Sequence, residues 1–231
     1  MSDDVQYPTG FCLRDLVSWG TTSLVVLDNA FDIVIKAPLR SRQPRSVYER
    51  FAQRGGHAGL LVYHGVFESG IRLEYAPRQN LRLHAAQVAE AIRSVHDSRV
   101  IHGDLTCADF AGSSIDDSPL LVLITESHEF PGPILSVRTD LFALSSVLYE
   151  IMTGHPLYEG LIDAEIPSLY LNGQFPQIAS LGAAGIIIEK CWKDDYSEAG
   201  EVVEALQVIN PIGFGGTLRL KKYGAVSVPS C

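Results

Sequence analysis

Apolar and polar positions change their period once along this chain, close to Pro77. Before it, Leu16-Val17-Ser18-Trp19 and Leu24-Val25-Val26-Leu27 are short β-type runs with Gly20-Thr21-Thr22 between them. Asp28-Asn29 supplies turn chemistry, and Phe31 to Lys36 alternates well enough to predict a third strand. A short helix is predicted from Arg45 to Ala52, with Val47, Tyr48 and Phe51 on one face. Leu60 to Phe67 and Ile71 to Tyr75 predict two further strands across Glu68-Ser69-Gly70. After Pro77 the apolar step becomes three or four: Leu81, Ala85, Val88, Ile92 and Val95 make one helical face. Thr139 or Asp140 can cap a second long helix, faced by Leu141, Leu144, Leu148 and Ile151 and stopped at Gly154. Further helices are predicted over 164–170, 181–192 and 197–208, and the Gly-rich tail from Pro211 reads as loop or disorder. The pattern is therefore α+β and bilobal: a β-rich lobe over 1–76, a helical lobe over 77–210 and a tail over 211–231, with the halves meeting near Glu74 to Pro77.

Composition narrows the function classes. Of the 231 residues 46% are apolar and 19% charged, enough apolar surface for a full core and against intrinsic disorder. The net charge of −9 disfavours nucleic acid and anionic membranes as partners, since both need a cationic footprint. Short basic clusters at Arg40, Arg42 and Arg45 and at Arg219, Lys221 and Lys222 read as solvated surface. Cys12, Cys107, Cys191 and Cys231 have no metal-ligand spacing and read as reduced thiols. The start, MSDDVQYP, has no apolar core, and no apolar run is long enough to span a bilayer. A soluble, cytoplasmic protein is expected. There is no Walker phosphate loop, H-E-x-x-H zinc helix or G-x-S-x-G elbow.

Several motifs carry chemistry through their order. They are Ser18-x-Gly20-x-x-Ser23-x-Val25, Val34-Ile35-Lys36, Leu73-Glu74-Tyr75-Ala76-Pro77, Val100-Ile101-His102-Gly103-Asp104-Leu105 and Ala108-Asp109-Phe110-Ala111-Gly112. Thr139-Asp140-Leu141-Phe142-Ala143-Leu144 and Glu189-Lys190-Cys191-Trp192 follow. Singly each has a plain alternative: Lys36 as a surface strand lysine, Asp140 as an N-cap, Leu73 to Pro77 as a strand entering a loop. In this order, from Leu16 to Leu206, they resemble the protein kinase superfamily, with a tyrosine-kinase-like flavour at Cys191-Trp192 and a likeness to kinase-like proteins of filamentous fungi. The resemblance implies ATP and Mg²⁺ as cofactors and a protein substrate or partner. It implies that Ser18, Gly20, Ser23 and Val25 belong to a hairpin over the nucleotide and that Lys36 neutralises its phosphates. It further implies that Leu73 guards the back pocket, that the backbone at Glu74 and Ala76 faces adenine, that Asp104 accepts the substrate hydroxyl proton, that Asp109 holds metal and that Asp140 braces the catalytic loop.

Departures from the family pattern are equally specific. Ser18 and Ser23 stand where two glycines would, so the backbone approaches phosphate less closely. Gly103 replaces the arginine that meets an activation-loop phosphate. Pro44 falls at the place of the lysine's glutamate partner, and Glu49, the nearby substitute, is expected on the solvated face. Asp109 lies five positions after Asp104, where an asparagine ligand belongs, so one residue stands for two metal ligands with no hairpin between. Phosphoryl transfer to Ser, Thr or Tyr hydroxyls is expected to be impaired. The alternatives are a pseudokinase acting as a binding or scaffold module and, because His102-Gly103-Asp104-Leu105 is typical there, a small-molecule phosphotransferase of the aminoglycoside or choline kinase type.

Overall fold

The computed structural model describes residues 6–19, 23–39, 45–57, 59–76, 82–103, 105–112, 119–121, 135–162, 164–209 and 217–219. Gly20, Pro44, Leu81 and Asp104 of the sequence reading lie outside these residues. The chain divides into two compact units, Met1–Ala76 and Pro77–Cys231. Both α and β structure are present, as the change of period predicts.

In the first unit five strands, β1 (Leu16–Trp19), β2 (Ser23–Asp28), β3 (Ile33–Pro38), β4 (Tyr63–Phe67) and β5 (Gly70–Glu74), form an antiparallel sheet ordered β1-β2-β3-β5-β4. The β2–β3 turn is set by Asp28, whose Oδ1 accepts from the amide of Ala30 at 3.1 Å. Strand β3 lies between β2 and β5 and is buried from Val34 to Ala37. One face gathers Leu24, Val26, Ile35 and Ala37 under Tyr7, Phe11, Leu16, Leu39 and Phe67. Complete burial of Leu24, Val26 and Ile35 contributes about 1.5–3 kcal/mol each. The helix α1 (Arg45–Gln53) turns its buried Tyr48 and Phe51 inward, and Tyr48 stacks on Tyr63 of β4 at 6.2 Å. Tyr63 is opposite Leu73 in the register, which places α1 over the other sheet face.

The second unit is built from β6 (Arg82–His84), α2 (Ala85–Asp97), β7 (Phe110–Gly112), β8 (Pro119–Leu121), α3 (Val137–Thr153), α4 (Ile166–Leu171), α5 (Ala183–Trp192), α6 (Ala199–Ile209) and β9 (Thr217–Arg219). Helix α2 packs on α6, and α3 on α5. Ala85, Val88, Ile92 and Val95 of the predicted face are all buried. Helix α3 ends on Gly154 at φ 78, a left-handed stop that glycine adopts without steric cost.

Three expectations are corrected. Helix α2 starts at Ala85, because Arg82–His84 is extended and pairs antiparallel with Thr217–Arg219. The same pairing gives the tail a strand where loop or disorder was expected. The cap of α3 is Ser136, ahead of both Thr139 and Asp140: Ser136 Oγ accepts from the Thr139 amide at 3.3 Å, and Thr139 Oγ1 accepts from the Ser136 amide at 3.0 Å. This reciprocal pair is a capping box, and it leaves Asp140 inside the first turn. Among the described residues no helix is long and apolar enough to cross a membrane.

Candidate functional site

Lys36 is not a surface lysine. It is 4% exposed and engaged in a contact of its own, in the middle of a sheet covered on both faces. Directly opposed residues of an antiparallel ladder share a face, and the register reads Ser18–Val25–Lys36–Ile71 across four strands. Leu27, Val34 and Leu73 form the next row on that face. Three predicted residues, Ser18, Val25 and Lys36, thus fall into one row, and Ser23 is two positions along on the same face of β2. The result is an apolar surface around one buried cation. Gly70 permits the close approach of β5 to β3 here: a Cβ on it would lie 2.5 Å from the Lys36 carbonyl oxygen.

The other predicted residues of this unit are placed as follows. The Glu74 amide donates to Val62 O at 2.9 Å, and its carboxylate accepts from the Val62 amide at 3.3 Å, so Glu74 ties the end of β5 to the strand entry before β4. Ala76 follows in coil. Glu49 accepts from Arg45 Nε at 2.7 Å on the partly solvated side of α1.

In the second unit the organising group is Asp140, 1% exposed. Its Oδ1 accepts from the Gly103 amide at 2.7 Å. Its Oδ2 accepts from the His102 amide at 2.7 Å and lies 2.9 Å from His96 Nε2. One carboxylate from the first turn of α3 therefore grips the backbone immediately before Asp104, and α2 supplies a third hydrogen-bond partner. A plain N-cap would make none of these contacts. Gly103 adopts φ +82, a left-handed conformation that a side chain resists, and a Cβ there would meet Leu135 at 3.2 Å. His96 belongs to none of the motifs that carry the resemblance. The signal that could have found it is its step of four from Val88 and Ile92 along the buried face of α2.

Asp109 is 2% exposed and closes a short turn, Cys107–Asp109. Its Oδ2 accepts from the Thr106 amide at 2.7 Å and from Thr106 Oγ1 at 2.9 Å. Strand β7 leaves directly from it and pairs with β8. A hairpin thus follows Asp109 in the chain, whereas the absence expected was in the short span from Asp104 to it. At the start of the turn, burial pushes the Cys107 thiol well above its ordinary value, with Glu150 adding to the effect. Burial likewise raises the Glu150 carboxyl, partly offset by its hydrogen bond with Cys107. Cys107 is accordingly a neutral, inert thiol.

No protein-family model matches the chain. Several protein kinases are similar to part of the chain. A calcium and calcium/calmodulin-dependent serine/threonine-protein kinase of Lotus japonicus is 21% identical over 150 residues, 54% of this chain and 27% of the relative. The RGS domain-containing serine/threonine-protein kinase A of Dictyostelium discoideum is 24% identical over 153 residues, 57% of this chain and 14% of the relative. Aurora kinase B of Danio rerio is 24% identical over 178 residues, 57% of this chain and 53% of the relative. Over a little more than half of its length the chain is thus weakly similar to protein kinases. It spans a third or less of the plant kinases it matches.

Proposed function

We propose that this kinase-like chain binds a nucleotide and is impaired in phosphoryl transfer, so that it acts chiefly as a binding module. The observation that carries nucleotide binding is the buried Lys36 in its row on the sheet, and the grip of Asp140 on the amides of His102 and Gly103 supports the kinase-like reading of the loop. That grip fixes the backbone leading into Asp104, the residue expected to take a proton from a substrate hydroxyl as its oxygen attacks phosphorus. The buried Lys36 with Val25, Val34 and Leu73 on its sheet face fits an adenine nucleotide: apolar surface for the base and a cation for phosphate.

The expected metal ligands fit less well. Asp109 is the one carboxylate assigned to Mg²⁺, and its Oδ2 already accepts two hydrogen bonds from Thr106. Among the described residues no group of three or more His, Cys, Asp or Glu side chains gathers to hold an ion. In the chain Asp109 precedes the β7–β8 hairpin, which favours the place of the catalytic-loop ligand and leaves the second metal position without its aspartate. Impairment follows because phosphoryl transfer depends on positioning and electrostatic stabilisation, both of which the ions share. The left-handed Gly103 gives some support to the small-molecule phosphotransferase reading, in which glycine is the ordinary residue at that position. The similarity to protein kinases weighs against it.

Thermal unfolding with ATP, with and without Mg²⁺, tests the proposal. At a hundredfold excess over the dissociation constant a nucleotide stabilises by about 2.7 kcal/mol, a shift of about 5–10 °C for a chain of this size. The expected result is a shift that needs little Mg²⁺ and disappears in Lys36→Met. A cooperative transition that ATP leaves unmoved refutes nucleotide binding. Phosphate transfer to a protein acceptor that is lost in Asp104→Asn refutes impairment.

A further inference from the structure

Strand β1 joins β2 with one residue too many. Leu16 is opposite Val26, whereas Ser18, two residues on, is opposite Val25, a single step along β2. The extra residue is a β-bulge. In a regular ladder Val17 would oppose Val25, and Ser18 would share the face of Leu16. Leu16 packs on Leu24, Val26, Ile35 and Ala37, so that face is the core. The bulge therefore turns Ser18 off the core face and onto the face of Lys36, in the row Ser18–Val25–Lys36. Bulges beside functional sites re-aim side chains in this way.

On β2 the Lys36 face is open where its reverse is closed. Ser23, Val25 and Leu27 are half-buried, whereas Leu24 and Val26 on the reverse are 0% exposed. Ser18 is exposed. Adjacent strands lie about 4.8 Å apart, which puts Ser18 and Lys36 about 10 Å apart across Val25. Ser23 is a diagonal neighbour of both, at about 7–8 Å. Two hydroxyls and one ammonium thus surround Val25 on a partly open patch. The β2, β3 and β5 residues that share this face, Ser23, Val25, Leu27, Val34, Lys36, Pro38, Ile71 and Leu73, include no carboxylate. A patch that offers hydrogen-bond donors and a cation but no acid suits an anion whose oxygens accept. We infer that Ser18 and Ser23 donate their hydroxyl hydrogens to phosphate oxygens of the bound nucleotide, beside Lys36. The inference rests on the proposed nucleotide binding. It gives the two serines a positive role: a hydroxyl reaches beyond the backbone, so a hairpin kept farther from the phosphates by its side chains still contacts them.

The test is thermal unfolding of the full chain against rising ATP and, separately, rising adenosine, which keeps the base and sugar and lacks the phosphates. Ser18→Ala and Ser23→Ala should each weaken ATP about tenfold or more, the effect of losing a hydrogen bond to a charged group, and leave adenosine binding unchanged. Ser18→Thr and Ser23→Thr, which restore the hydroxyl on a side chain that strands accept, should return ATP affinity to within about threefold of the parent. Neither serine is buried, so the Ala variants are expected to fold. Phe31→Ser, 75% exposed in the turn between β2 and β3, should alter neither ligand. A parent that neither ATP nor adenosine stabilises overturns nucleotide binding, and this inference with it. A parent that binds ATP no better than its Ala variants do overturns the hydroxyl role alone. Ala variants that weaken ATP and adenosine alike also overturn it, because the serines would then shape the sheet instead of holding phosphate.

Discussion

Asp140→Asn is the substitution that most directly probes the loop grip. The two side chains are nearly isosteric, so the cost arises from hydrogen bonding alone. The amide must place NH₂ where one carboxylate oxygen was. At Oδ2 it would oppose two groups, the His102 amide and His96 Nε2; at Oδ1 it would oppose only the Gly103 amide. The second orientation is preferred, and Gly103 then loses a charge-assisted bond and faces another donor. A hydrogen bond to a charged group is worth about 1.5–3 kcal/mol, and an unsatisfied buried donor costs about 1–3 kcal/mol. Because these overlap, a total of about 2–4 kcal/mol is expected. With typical stabilities of about 5–15 kcal/mol the variant still folds. Urea unfolding reads the global loss, and amide hydrogen exchange locates it: Gly103 should lose protection more than His102. Ser136→Ala, which loosens the start of the same helix by about 1 kcal/mol, should leave both amides protected. A global cost below about 1 kcal/mol with the Gly103 amide protected as before would refute the reasoning.

Two further outcomes follow from packing and burial. Gly70→Ala puts a methyl group 2.5 Å from the Lys36 carbonyl oxygen and 3.1 Å from Ala37 Cα, so β5 and β3 must part; a loss of about 1–3 kcal/mol by urea unfolding is expected, together with weaker nucleotide-induced stabilisation. Burial raises the Glu150 carboxyl above its unfolded value, so the folded state holds the proton more tightly, and this contribution is full below the unfolded value and lost as pH rises through the folded one. Glu150→Gln should therefore flatten the decline in melting temperature from acidic toward neutral pH, and a variant that declines as steeply as the parent contradicts the assignment.

The sequence disclosed the strands of the first unit well, because short Val-, Ile- and Leu-rich runs are punctuated there by Asp28-Asn29 and Glu68-Ser69. Helix faces were equally legible where the step of three or four persists, as from Ala85 to Val95. What escaped had no local signal. Arg82–His84 and Thr217–Arg219 are three-residue strands far apart in sequence, and only their meeting makes either extended. Ser136 was missed because Val137 and Arg138 do not begin the apolar period, so pattern alone starts α3 too late. Lys36 read singly as exposed because alternation assumes one wet face, whereas β3 is covered on both. The roles of Ser18, Val25 and Lys36 rest on resemblance, yet their common row follows from register alone.

The Asp140 grip cannot by itself separate a working enzyme from a binding module. A buried carboxylate that serves three partners is costly to lose whatever the loop does, so structure alone is reason enough for its presence. Asp109 is different, because its two candidate roles compete. As the closing residue of the Cys107–Asp109 turn it accepts two short hydrogen bonds from Thr106, and both go to the same oxygen. A cation drawn to that oxygen must displace or weaken bonds worth about 1.5–3 kcal/mol each. A loss of that size lowers ion affinity by about tenfold or more per bond. On the proposed reading, a weak dependence of nucleotide binding on Mg²⁺ is therefore the expected outcome wherever the ion is drawn to that oxygen. Thr106→Val, which removes the hydroxyl bond and leaves the amide bond in place, should strengthen that dependence if the competition is real.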